Sequence, residues 1–371
     1  MSDLRRIKVA TIFGTRPEII KLSRIIVAFD RHTDQKLIYT GQNFEPNIST
    51  SFFSELQIRK PDYDLSIDTH SFAAQIGSLF SKIEEILIRD YYDAVFVLGD
   101  TNSALSGIVA KRLHIPLLHM EAGNRCFSER VPEEINRRII DHISDVNLAY
   151  SENARYNLLR EGIHPQSIFV TGSPMAEVLS FYRSDIDASP ILETVGLTKD
   201  GYILVSIHRA ETVDDKNSIS ELLAGLSMVA EQYRIPVLIS LHPRTAAALA
   251  RFDASSLSDS FRICTPFGFF EYSKLQKNAF CVLSDSGTLF EEAAFLEFPA
   301  VQLRRESERA EAFDAGWGLL TGFQGNNIIH SIVLSREQYS VFQCPEAYSR
   351  MDVSEKVVRH LCNYIHTREL R

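Results

Sequence analysis

Short apolar runs alternate with longer amphipathic stretches along most of this chain. Such alternation is typical of parallel sheets whose strands are connected by helices on both faces. The first series of runs predicts strands at Ile7–Phe13, Gln35–Thr40, Ala94–Leu98, Pro116–His119 and Val146–Tyr150. A second series predicts strands at Ile168–Thr171, Tyr202–Ile207, Val237–Leu241, Phe261–Cys264, Cys281–Ser284 and Ala300–Leu303. The sequence therefore predicts an α/β fold.

The stretches between the apolar runs have the length and periodicity of helices. They predict helices at Glu18–Asp30, Phe72–Arg89, Asn102–Leu113, Glu133–Ile143, Ser151–Glu161, Ser218–Gln232, Gly287–Phe295 and Val353–Thr367. Two consecutive series in 371 residues indicate two doubly wound domains that face each other across a cleft. The stretch from Gly172 to Gly201, with Pro174 and Pro190, suits the crossing between them. We predict domains over residues 1–172 and 173–352.

Charge and cysteine content argue against several classes of protein. Acidic residues outnumber basic ones by 48 to 39, so the net charge of −9 gives no general attraction to nucleic acid or anionic lipid. No segment approaches about 18 uninterrupted apolar residues, so no membrane span is expected. The N-terminus shows no signal-peptide core, and the five scattered cysteines form no CxxC pair. These features predict a cytoplasmic protein with reduced thiols.

Polar residues follow the ends of the predicted strands, where open parallel sheets bind their ligands. After the first strand, the turn from Gly14 to Pro17 opens a helix whose backbone N–H groups can face an anion, and Arg16 adds a cationic donor. A plain strand–turn–helix connection would have the same pattern. The fingerprints GxGxxG, GxSxG and the Walker loop do not occur, and no acids or histidines have the spacing of metal ligands. We therefore expect no nicotinamide and no metal.

Three acidic residues of the first half lie just after strands or at a helix start. Asp100 follows a predicted strand and is either a helix cap or an acid/base group. Glu121 follows the next strand, with Arg125 nearby to balance its charge. Glu133 lies in the first turn of a predicted helix, where acids commonly complement the helix dipole.

The second half repeats this placement with cationic and small residues. His208 and Arg209 follow one predicted strand, and His242 follows the next. The segment Ser286–Thr288 opens a helix whose N–H groups can bind a diphosphate, and Glu292 one turn later can accept hydrogen bonds from ribose hydroxyls. An anion-binding second domain and three first-domain carboxylates point to chemistry on a nucleotide-activated substrate.

A series of short segments occurs in order from residue 14 to about residue 316: GTRPEIIKL, TGQN, VLGDTNS, HMEAGNR, VPEEINRR, DHISD, VTGSP, HRAET, HPRT, SDSGTLFEEA and ERAEAFDAG. Together they resemble the non-hydrolysing UDP-N-acetylglucosamine 2-epimerase family. The resemblance implies a GT-B arrangement of two Rossmann-like domains with the active site between them. It also implies that a C-terminal helix within residues 353–371 packs back on the first domain.

The resemblance further implies which residues act on the substrate. Asp100, Glu121 and Glu133 would be the acid/base residues, and His208 would assist near the diphosphate. The implied substrate-binding residues are Arg16, Lys21, Gln42, Asn124, Arg125, Arg137, Arg209, His242, Ser286, Gly287, Thr288, Glu292 and Arg309. Within this set, Arg16 and Ser286–Thr288 would stabilise the leaving diphosphate, and Glu292 would hold the ribose.

One departure from the family pattern concerns the sugar. The segment AGNRCF replaces the common AGLRT, and the loop before Pro132 is shortened. The combination AGNRCF, RVPEE and NRR resembles a subgroup that converts UDP-2-acetamido-2,6-dideoxy-L-talose into UDP-N-acetyl-L-fucosamine for surface polysaccharides such as capsule or O-antigen. HRAET and ERAE stand where HRREN and ERPE are usual, which keeps most of the charges.

The implied reaction inverts C2 of a UDP-2-acetamido sugar by anti-elimination of UDP and re-addition, with no net redox change. The alternatives are a UDP-N-acetylglucosamine 2-epimerase giving UDP-N-acetylmannosamine, a hydrolysing epimerase, a GT-B glycosyltransferase, and a non-catalytic UDP-sugar sensor. A UDP-sugar is the expected ligand, no cofactor is required, and a homodimer is expected.

Overall fold

The computed structural model describes residues 5–41, 52–68, 70–209, 215–241 and 260–368. The chain divides into two compact units, one comprising Met1–Val178 with Ser349–Arg371 and the other Leu179–Tyr348. Each unit is built on its own parallel sheet. Within the described ranges, no helix combines the length and apolar character that crossing a bilayer requires.

The strands are β1 Lys8–Phe13, β2 Asp34–Tyr39, β3 Tyr63–Asp64, β4 Ala94–Leu98, β5 Leu117–Ala122, β6 Val146–Ala149, β7 Ile168–Val170, β8 Ile203–Ile207, β9 Val237–Leu241, β10 Phe261–Cys264, β11 Cys281–Ser284 and β12 Ala300–Gln302. The α-helices are α1 Arg16–His32, α2 Phe72–Arg89, α3 Gly107–Arg112, α4 Pro132–Ile143, α5 Glu152–Arg160, α6 Met175–Phe181, α7 Arg183–Ala188, α8 Ile191–Thr194, α9 Lys216–Tyr233, α10 Phe269–Asn278, α11 Leu289–Leu296, α12 Ala310–Asp314, α13 Gly325–Gln338 and α14 Val353–Arg368. Short 3-10 helices lie at Asn102–Ser106, Pro165–Ser167 and Glu346–Tyr348.

The sheet of the first unit has the strand order β3-β2-β1-β4-β5-β6-β7, and all of its pairings are parallel. Every residue of β4 is buried, as expected for a central strand covered by helices on both faces. The strand order reverses between β1 and β4, and such a switch point is where open parallel sheets bind ligands. The turns after β1 and β4 are therefore the first place to look for a site.

The C-terminal helix α14 belongs to the first unit and packs against α1. The ring of His360 lies 4.3 Å from the ring of Phe169, centroid to centroid. At the start of α14, the backbone N–H of Ser354 donates a hydrogen bond to Glu177 at 2.9 Å.

The sheet of the second unit has the order β10-β9-β8-β11-β12, again with parallel pairings. Its core is formed by the buried faces of these strands with α9 and α13 on one side and α10 and α11 on the other. The order reverses between β8 and β11, so this unit has its own switch point. Two short segments follow these strands there, beginning at His208 and at Asp285.

The predicted elements are mostly present, with small shifts at their ends. Three differences are larger, and the first two of them affect the site. The strand predicted to end at His119 continues to Ala122, so Glu121 lies inside β5. The predicted helix from Asn102 begins as a 3-10 helix and becomes α-helical at Gly107. The predicted crossing from Gly172 to Gly201 contains α6, α7 and α8, since its prolines precede helices rather than breaking them.

Gly123, directly after β5, is expected to be intolerant of alanine. Its φ of +83° is in the left-handed region, and a Cβ there would lie 2.2 Å from the carbonyl oxygen of Ala154. Gly123→Ala should lower the free energy of unfolding by about 2–4 kcal/mol, because backbone strain and steric overlap add. Urea denaturation measures this change.

Gly162 is the matched control for this substitution. It has a φ of +86°, but no non-neighbouring atom of the described residues lies within 4 Å of the position of an added Cβ. Gly162→Ala should therefore cost only the backbone strain, about 1–2 kcal/mol. Equal losses in the two variants would show that the contact with Ala154 relaxes.

Candidate active site

A buried carboxylate joins the two turns at the switch point of the first sheet. Glu18 Oε2 accepts hydrogen bonds from the backbone N–H groups of Gly14 at 3.0 Å and Thr15 at 2.8 Å, and Glu18 Oε1 accepts one from the Thr101 hydroxyl at 3.0 Å. The turn after β1 is thereby tied to the turn that carries Asp100. The N–H groups of Gly14 and Thr15 donate to Glu18, so these two groups are not available to an anion.

Glu18 should make the stability of the protein pH-dependent. Burial raises its pKa from 4.5 to about 7, although the hydrogen bonds from Thr15, Gly14 and Thr101 oppose this shift. Between these pH values the folded state binds more protons than the unfolded state. The resulting contribution to stability is therefore full below about pH 4.5 and is lost as the pH rises through about 7.

Glu18→Gln cannot titrate, so the stability difference between wild type and this variant isolates the effect. As the pH rises from about 4.5 to about 7, the free energy of unfolding of the wild type should fall by about 3 kcal/mol relative to that of the variant. Urea denaturation at each pH measures this change. Parallel pH profiles for the two proteins would mean that Glu18 ionises as freely in the folded as in the unfolded state.

Asp100, after β4, faces a fixed positive charge. Arg137 Nε lies 2.6 Å from Asp100 Oδ2, and Arg137 Nη1 lies 2.7 Å from Glu134 Oε2. Asn136, on the same helix α4, donates to the carbonyl oxygen of Asp100 at 2.8 Å. Burial acts to raise the pKa of Glu134, but the Cys126 backbone N–H and Arg137 lower it overall. Arg137 is thus the counter-charge of Asp100, held in place by Glu134.

Glu121 lies close to the same turn with a different cation. Its carboxylate Oε2 is 2.6 Å from Lys21 Nζ on α1 and accepts a hydrogen bond from the Tyr150 hydroxyl at 3.3 Å. The backbone of Glu121 has a φ of +70°, and the register of β5 with β6 shifts at this residue. Strained residues and bulges of this kind concentrate at functional sites. The predicted balancing of Glu121 by Arg125 is wrong, since Lys21 has that role.

Arg125 instead belongs to a buried charge network behind the site. Its Nη1 lies 2.7 Å from Asp141 Oδ2 and its Nη2 lies 2.6 Å from Glu161 Oε2. Asp141 Oδ1 also lies 2.8 Å from His119 Nδ1, and the other ring nitrogen of His119 lies 2.8 Å from the carbonyl oxygen of Gly99. Since the Arg125 side chain is fully buried in these pairs, the structure does not support its predicted contact with substrate.

Three more predicted residues of the first unit have distinct surroundings. Arg16 is half-buried, with its guanidinium carbon 4.2 Å from the centroid of the Phe52 ring. Glu133 is half-buried in the first turn of α4. Asn124 is buried, and its side-chain amide nitrogen has no hydrogen-bond partner among the described residues.

The switch point of the second sheet is organised by Asp285, which is fully buried. Its carboxylate accepts hydrogen bonds from the backbone N–H groups of His208 at 3.0 Å and Arg209 at 2.9 Å, and it lies 3.0 Å from His208 Nδ1. Burial acts to raise the pKa of Asp285, but the His208 side chain and the backbone N–H and charge of Arg209 lower it overall. The segment after β8 is thus fixed to the segment after β11, with the His208 ring partly exposed.

A second ion pair packs against the glycine of the predicted diphosphate segment. Arg209 Nη2 lies 3.1 Å from Glu308 Oε1, and Arg304 Nη1 lies 2.7 Å from Glu308 Oε2. A Cβ on Gly287 would lie 2.8 Å from Glu308 Oε1. Glycine therefore allows the backbone before α11 to approach this pair closely.

Ser286, Thr288 and Glu292 form a connected group at the start of α11. The Thr288 backbone N–H donates to the Ser286 hydroxyl at 3.3 Å, and the Thr288 hydroxyl donates to Glu292 Oε1 at 2.7 Å. Gln276 donates to the other carboxylate oxygen of Glu292. Hydroxyl and backbone groups at this helix start are therefore preorganised beside a half-buried carboxylate.

The remaining predicted residues lie elsewhere. Arg309 is 1% exposed and forms a salt bridge of 2.7 Å with Glu291, so it lies inside the second unit rather than on its surface. Gln42 and His242 lie outside the described residues.

Within the first unit, the structure brings together Asp100 with Arg137 and Glu121 with Lys21. Within the second unit, it brings together His208, Arg209, Ser286, Gly287, Thr288 and Glu292. The part of the chain that the structure describes contains no group of three or more His, Cys, Asp or Glu residues that could hold a metal ion.

Several contributing residues were not predicted from the sequence. Glu18 carries a recognisable signal, since Thr15 and Glu18 have the spacing of a capping box. Asp285 directly follows a predicted strand and could have been found by the same reasoning as Asp100. Glu134 and Asp141 have no local signal, because their roles depend on residues distant in the chain.

Comparison with known proteins places this geometry in context. The family model described as UDP-N-acetylglucosamine 2-epimerase matches residues 27–362. A curated relative, the UDP-2,3-diacetamido-2,3-dideoxy-D-glucuronate 2-epimerase of Pseudomonas aeruginosa, is 34% identical over 330 residues, which is 87% of this chain and 91% of that protein.

Solved structures of UDP-sugar 2-epimerases are also similar to this chain. The UDP-N-acetylglucosamine 2-epimerase from Rickettsia bellii superposes with a TM-score of 0.92 at 43% identity, covering 98% of each chain. The UDP-GlcNAc 2-epimerase of Methanocaldococcus jannaschii in complex with UDP-GlcNAc and UDP superposes with a TM-score of 0.91 at 35% identity, covering 96% of this chain and 100% of that one. These similarities extend over both units.

Proposed function

This chain belongs to the UDP-N-acetylglucosamine 2-epimerase family. From the AGNRCF segment and the short loop before Pro132, we propose that its substrate is UDP-2-acetamido-2,6-dideoxy-L-talose. The protein is an isomerase of the non-hydrolysing type, a UDP-sugar 2-epimerase with two Rossmann-like domains. The proposed product is UDP-N-acetyl-L-fucosamine, and the proposed pathway is the synthesis of surface polysaccharides.

The proposed reaction needs groups that take and return a proton at C2. This proton is not acidic enough for direct removal by a carboxylate, so the bond from C1 to UDP must loosen first. Positive charge then develops at C1, C2 loses its proton, and a 2-acetamidoglycal and UDP remain bound. Protonation of C2 on the opposite face and re-addition of UDP to C1 complete the inversion.

We assign the proton chemistry to the first unit. Asp100 and Glu121 each have an ion-paired cation, at 2.6 Å in both cases. Asp100 follows β4, and Glu121 lies near the end of the adjacent strand β5. Glu133, half-buried in the first turn of α4, is the third acid/base candidate. A carboxylate with a fixed counter-charge is available as a base without a large cost of desolvation.

We assign the grip on UDP to the second unit, with Arg16 of the first unit as a further cation. The helix start Ser286–Thr288 and the cations His208 and Arg209 would hold the departing diphosphate. Glu292 would accept hydrogen bonds from the ribose. UDP must remain bound between elimination and re-addition, which is why preorganised donors matter at this site.

The observation that supports the 6-deoxy substrate is the loop after β5. Phe127 is 68% exposed, with a left-handed φ of +55°, whereas Val131 is buried. The backbone N–H groups of Cys126 and Phe127 donate to the carboxylate of Glu134, which fixes this loop to α4. A methyl group in place of a hydroxymethyl group favours an apolar neighbour, and Phe127 can supply one.

UDP-N-acetylglucosamine is the second candidate substrate, and the names of the relatives from Rickettsia bellii and Methanocaldococcus jannaschii favour it. Side-by-side kcat/KM values for the two UDP-sugars decide between them. We expect the talose substrate to be preferred, and Phe127→Ser to reduce that preference by about 5- to 100-fold, the worth of one small apolar contact. A preference of the wild type for UDP-N-acetylglucosamine would contradict the proposal.

Product analysis in the same reactions separates the other classes of protein. NMR should show the C2 epimer still attached to UDP. Free UDP with a free 2-epimeric sugar would indicate a hydrolysing epimerase. Consumption of the UDP-sugar only when a sugar acceptor is added would indicate a glycosyltransferase, and binding without turnover would indicate a sensor.

A homodimer and a cytoplasmic location complete the proposal. Phe72 on α2 and Ile135 on α4 are more than half exposed, and both helices contact the 3-10 helix Asn102–Ser106. This face of the first unit is the proposed dimer contact, and light scattering measures the mass in solution. All five cysteines are free, which fits a reducing compartment.

A further inference from the structure

The two paired carboxylates of the first unit differ in the chemistry of their cations. Asp100 is paired with an arginine and Glu121 with a lysine, both at 2.6 Å. A guanidinium does not release its proton in proteins, whereas a buried ammonium group can. The Asp100–Arg137 pair therefore has a permanent positive charge, and the Glu121–Lys21 pair holds a transferable proton.

The surroundings of the lysine favour such a transfer. The side chains of Lys21 and Glu121 are 8% and 9% exposed, so water screens their interaction poorly. The Tyr150 hydroxyl donates to the same carboxylate oxygen at 3.3 Å, and the Tyr150 ring centroid lies 6.0 Å from Lys21 Nζ. Glu121 Oε2 thus accepts a hydrogen bond from Tyr150 and lies beside the Lys21 ammonium group, the cation that can pass it a proton.

The guanidinium of Arg137 has the opposite character. It is bound by Asp100 through Nε and by Glu134 through Nη1, and its side chain is 3% exposed. Arg137 itself therefore has no proton to deliver, and only the Asp100 carboxyl group can exchange one with C2 on that side. Because the reaction is reversible, each face needs a group that takes the C2 proton in one direction and returns it in the other.

We propose that Lys21 holds the proton that the Glu121 side exchanges with C2, while Asp100 serves the other face as the base. The inference rests on the proposed 2-epimerase reaction. In one direction Asp100 takes the proton from C2 as the C1–O bond breaks and its electron pair leaves with UDP. C2 of the glycal then takes a proton through Glu121, Lys21 becomes a neutral amine, and a UDP oxygen forms the new bond to C1.

The reverse direction starts from the state that this step leaves, with Asp100 protonated and Lys21 neutral. Glu121 then takes the C2 proton and passes it to Lys21, and Asp100 protonates the other face. Lys21 acts through Glu121 and is therefore a positioning and proton-holding residue rather than a group that contacts the reacting carbon.

Lys21→Arg keeps the positive charge beside Glu121 and removes the transferable proton. Each C2 epimer of the UDP-sugar is incubated separately with this variant in D₂O, and deuterium at C2 is followed by NMR. We expect epimerisation to fall about 100-fold or more. In the epimer whose C2 proton faces Asp100, this variant should still exchange that proton for deuterium without inversion. The rate of this exchange should be at least about tenfold higher than in the other epimer.

Lys111→Arg is the matched control, because Lys111 forms a similar pair with Asp145 at 2.7 Å away from the proposed site. Lys111→Arg should epimerise the UDP-sugar and exchange deuterium at C2 at wild-type rates. Thermal melting and UDP binding by calorimetry show whether each variant is folded, and Lys21→Met provides a second variant that lacks the proton.

Near wild-type epimerisation by Lys21→Arg would overturn the proposal. So would an equal loss of deuterium exchange in both epimers by a folded Lys21 variant. Unfolding of both Lys21 variants would also overturn it, because Lys21 would then have a structural role. The wild-type reaction in D₂O tests the 2-epimerase mechanism independently of the Lys21 variants. Failure of the wild type to incorporate deuterium into any UDP-sugar tested would instead contradict the 2-epimerase mechanism.

Discussion

Replacing Asp100 with asparagine is expected to lower kcat by about 10²- to 10⁴-fold, the usual contribution of a positioned acid/base group. The amide has almost the same shape but cannot accept the C2 proton. Arg137 also keeps its ion pair with Glu134, so the local fold should persist. Steady-state kinetics with the UDP-sugar measure the effect, and KM should change far less than kcat because the proposed UDP-binding groups are untouched.

Asp62→Asn is the control for this loss of kcat. Asp62 Oδ2 also forms a salt bridge of 2.6 Å, to Arg59, and its side chain has a similar exposure to that of Asp100. It precedes β3 at the edge of the sheet and has no proposed role in the reaction. The variant should retain wild-type kcat. An Asp100→Asn enzyme that is as active as Asp62→Asn would remove Asp100 from the mechanism.

The largest expected loss of stability comes from Asp141→Asn. Asp141 lies on α4 and is fully buried between His119 and Arg125, with its carboxylate also accepting a hydrogen bond from the Gly123 backbone N–H at 3.2 Å. Burial acts to raise its pKa, but His119 and Arg125 lower it overall. Removing this charge leaves the Arg125 guanidinium buried and poorly compensated, which typically costs about 3–5 kcal/mol in the free energy of unfolding.

Asp145→Asn separates burial from charge pairing as the cause. Asp145 also pairs with a cation, Lys111, and accepts a hydrogen bond from the Leu117 backbone N–H at 2.8 Å, but its side chain is partly exposed. We expect a loss of about 1–1.5 kcal/mol. Urea denaturation compares the two variants, and a loss in Asp141→Asn no larger than in Asp145→Asn would show that the buried network relaxes without cost.

Local patterns were sufficient to predict the regular elements. The helix Phe72–Arg89 and the strand Ala94–Leu98 have the predicted bounds, because an amphipathic period and a short apolar run are decided within a few residues. The helices between Met175 and Thr194 were missed. Pro174 and Pro190 favour an irregular crossing, but proline is also common at helix starts.

The pairing of side chains could not be predicted in the same way. Strand ends located Asp100 and Glu121, since the carboxyl edge of a parallel sheet follows from the strand pattern. Their cationic partners depend on tertiary packing: Lys21 is 100 residues from Glu121, and Arg137 is 37 residues from Asp100. Proximity in the chain suggested Arg125 as the partner of Glu121, but the backbone turns at Gly123 and directs Arg125 to Asp141 instead.

Proton abstraction at C2 is tested most directly by turnover of a protiated UDP-sugar in D₂O, followed by NMR of the product. The mechanism predicts that the inverted product carries deuterium at C2, because the proton removed by one group exchanges with solvent and a different group delivers the new one. Product that retains protium at C2 would contradict it, and would indicate direct or redox-mediated transfer of the original hydrogen.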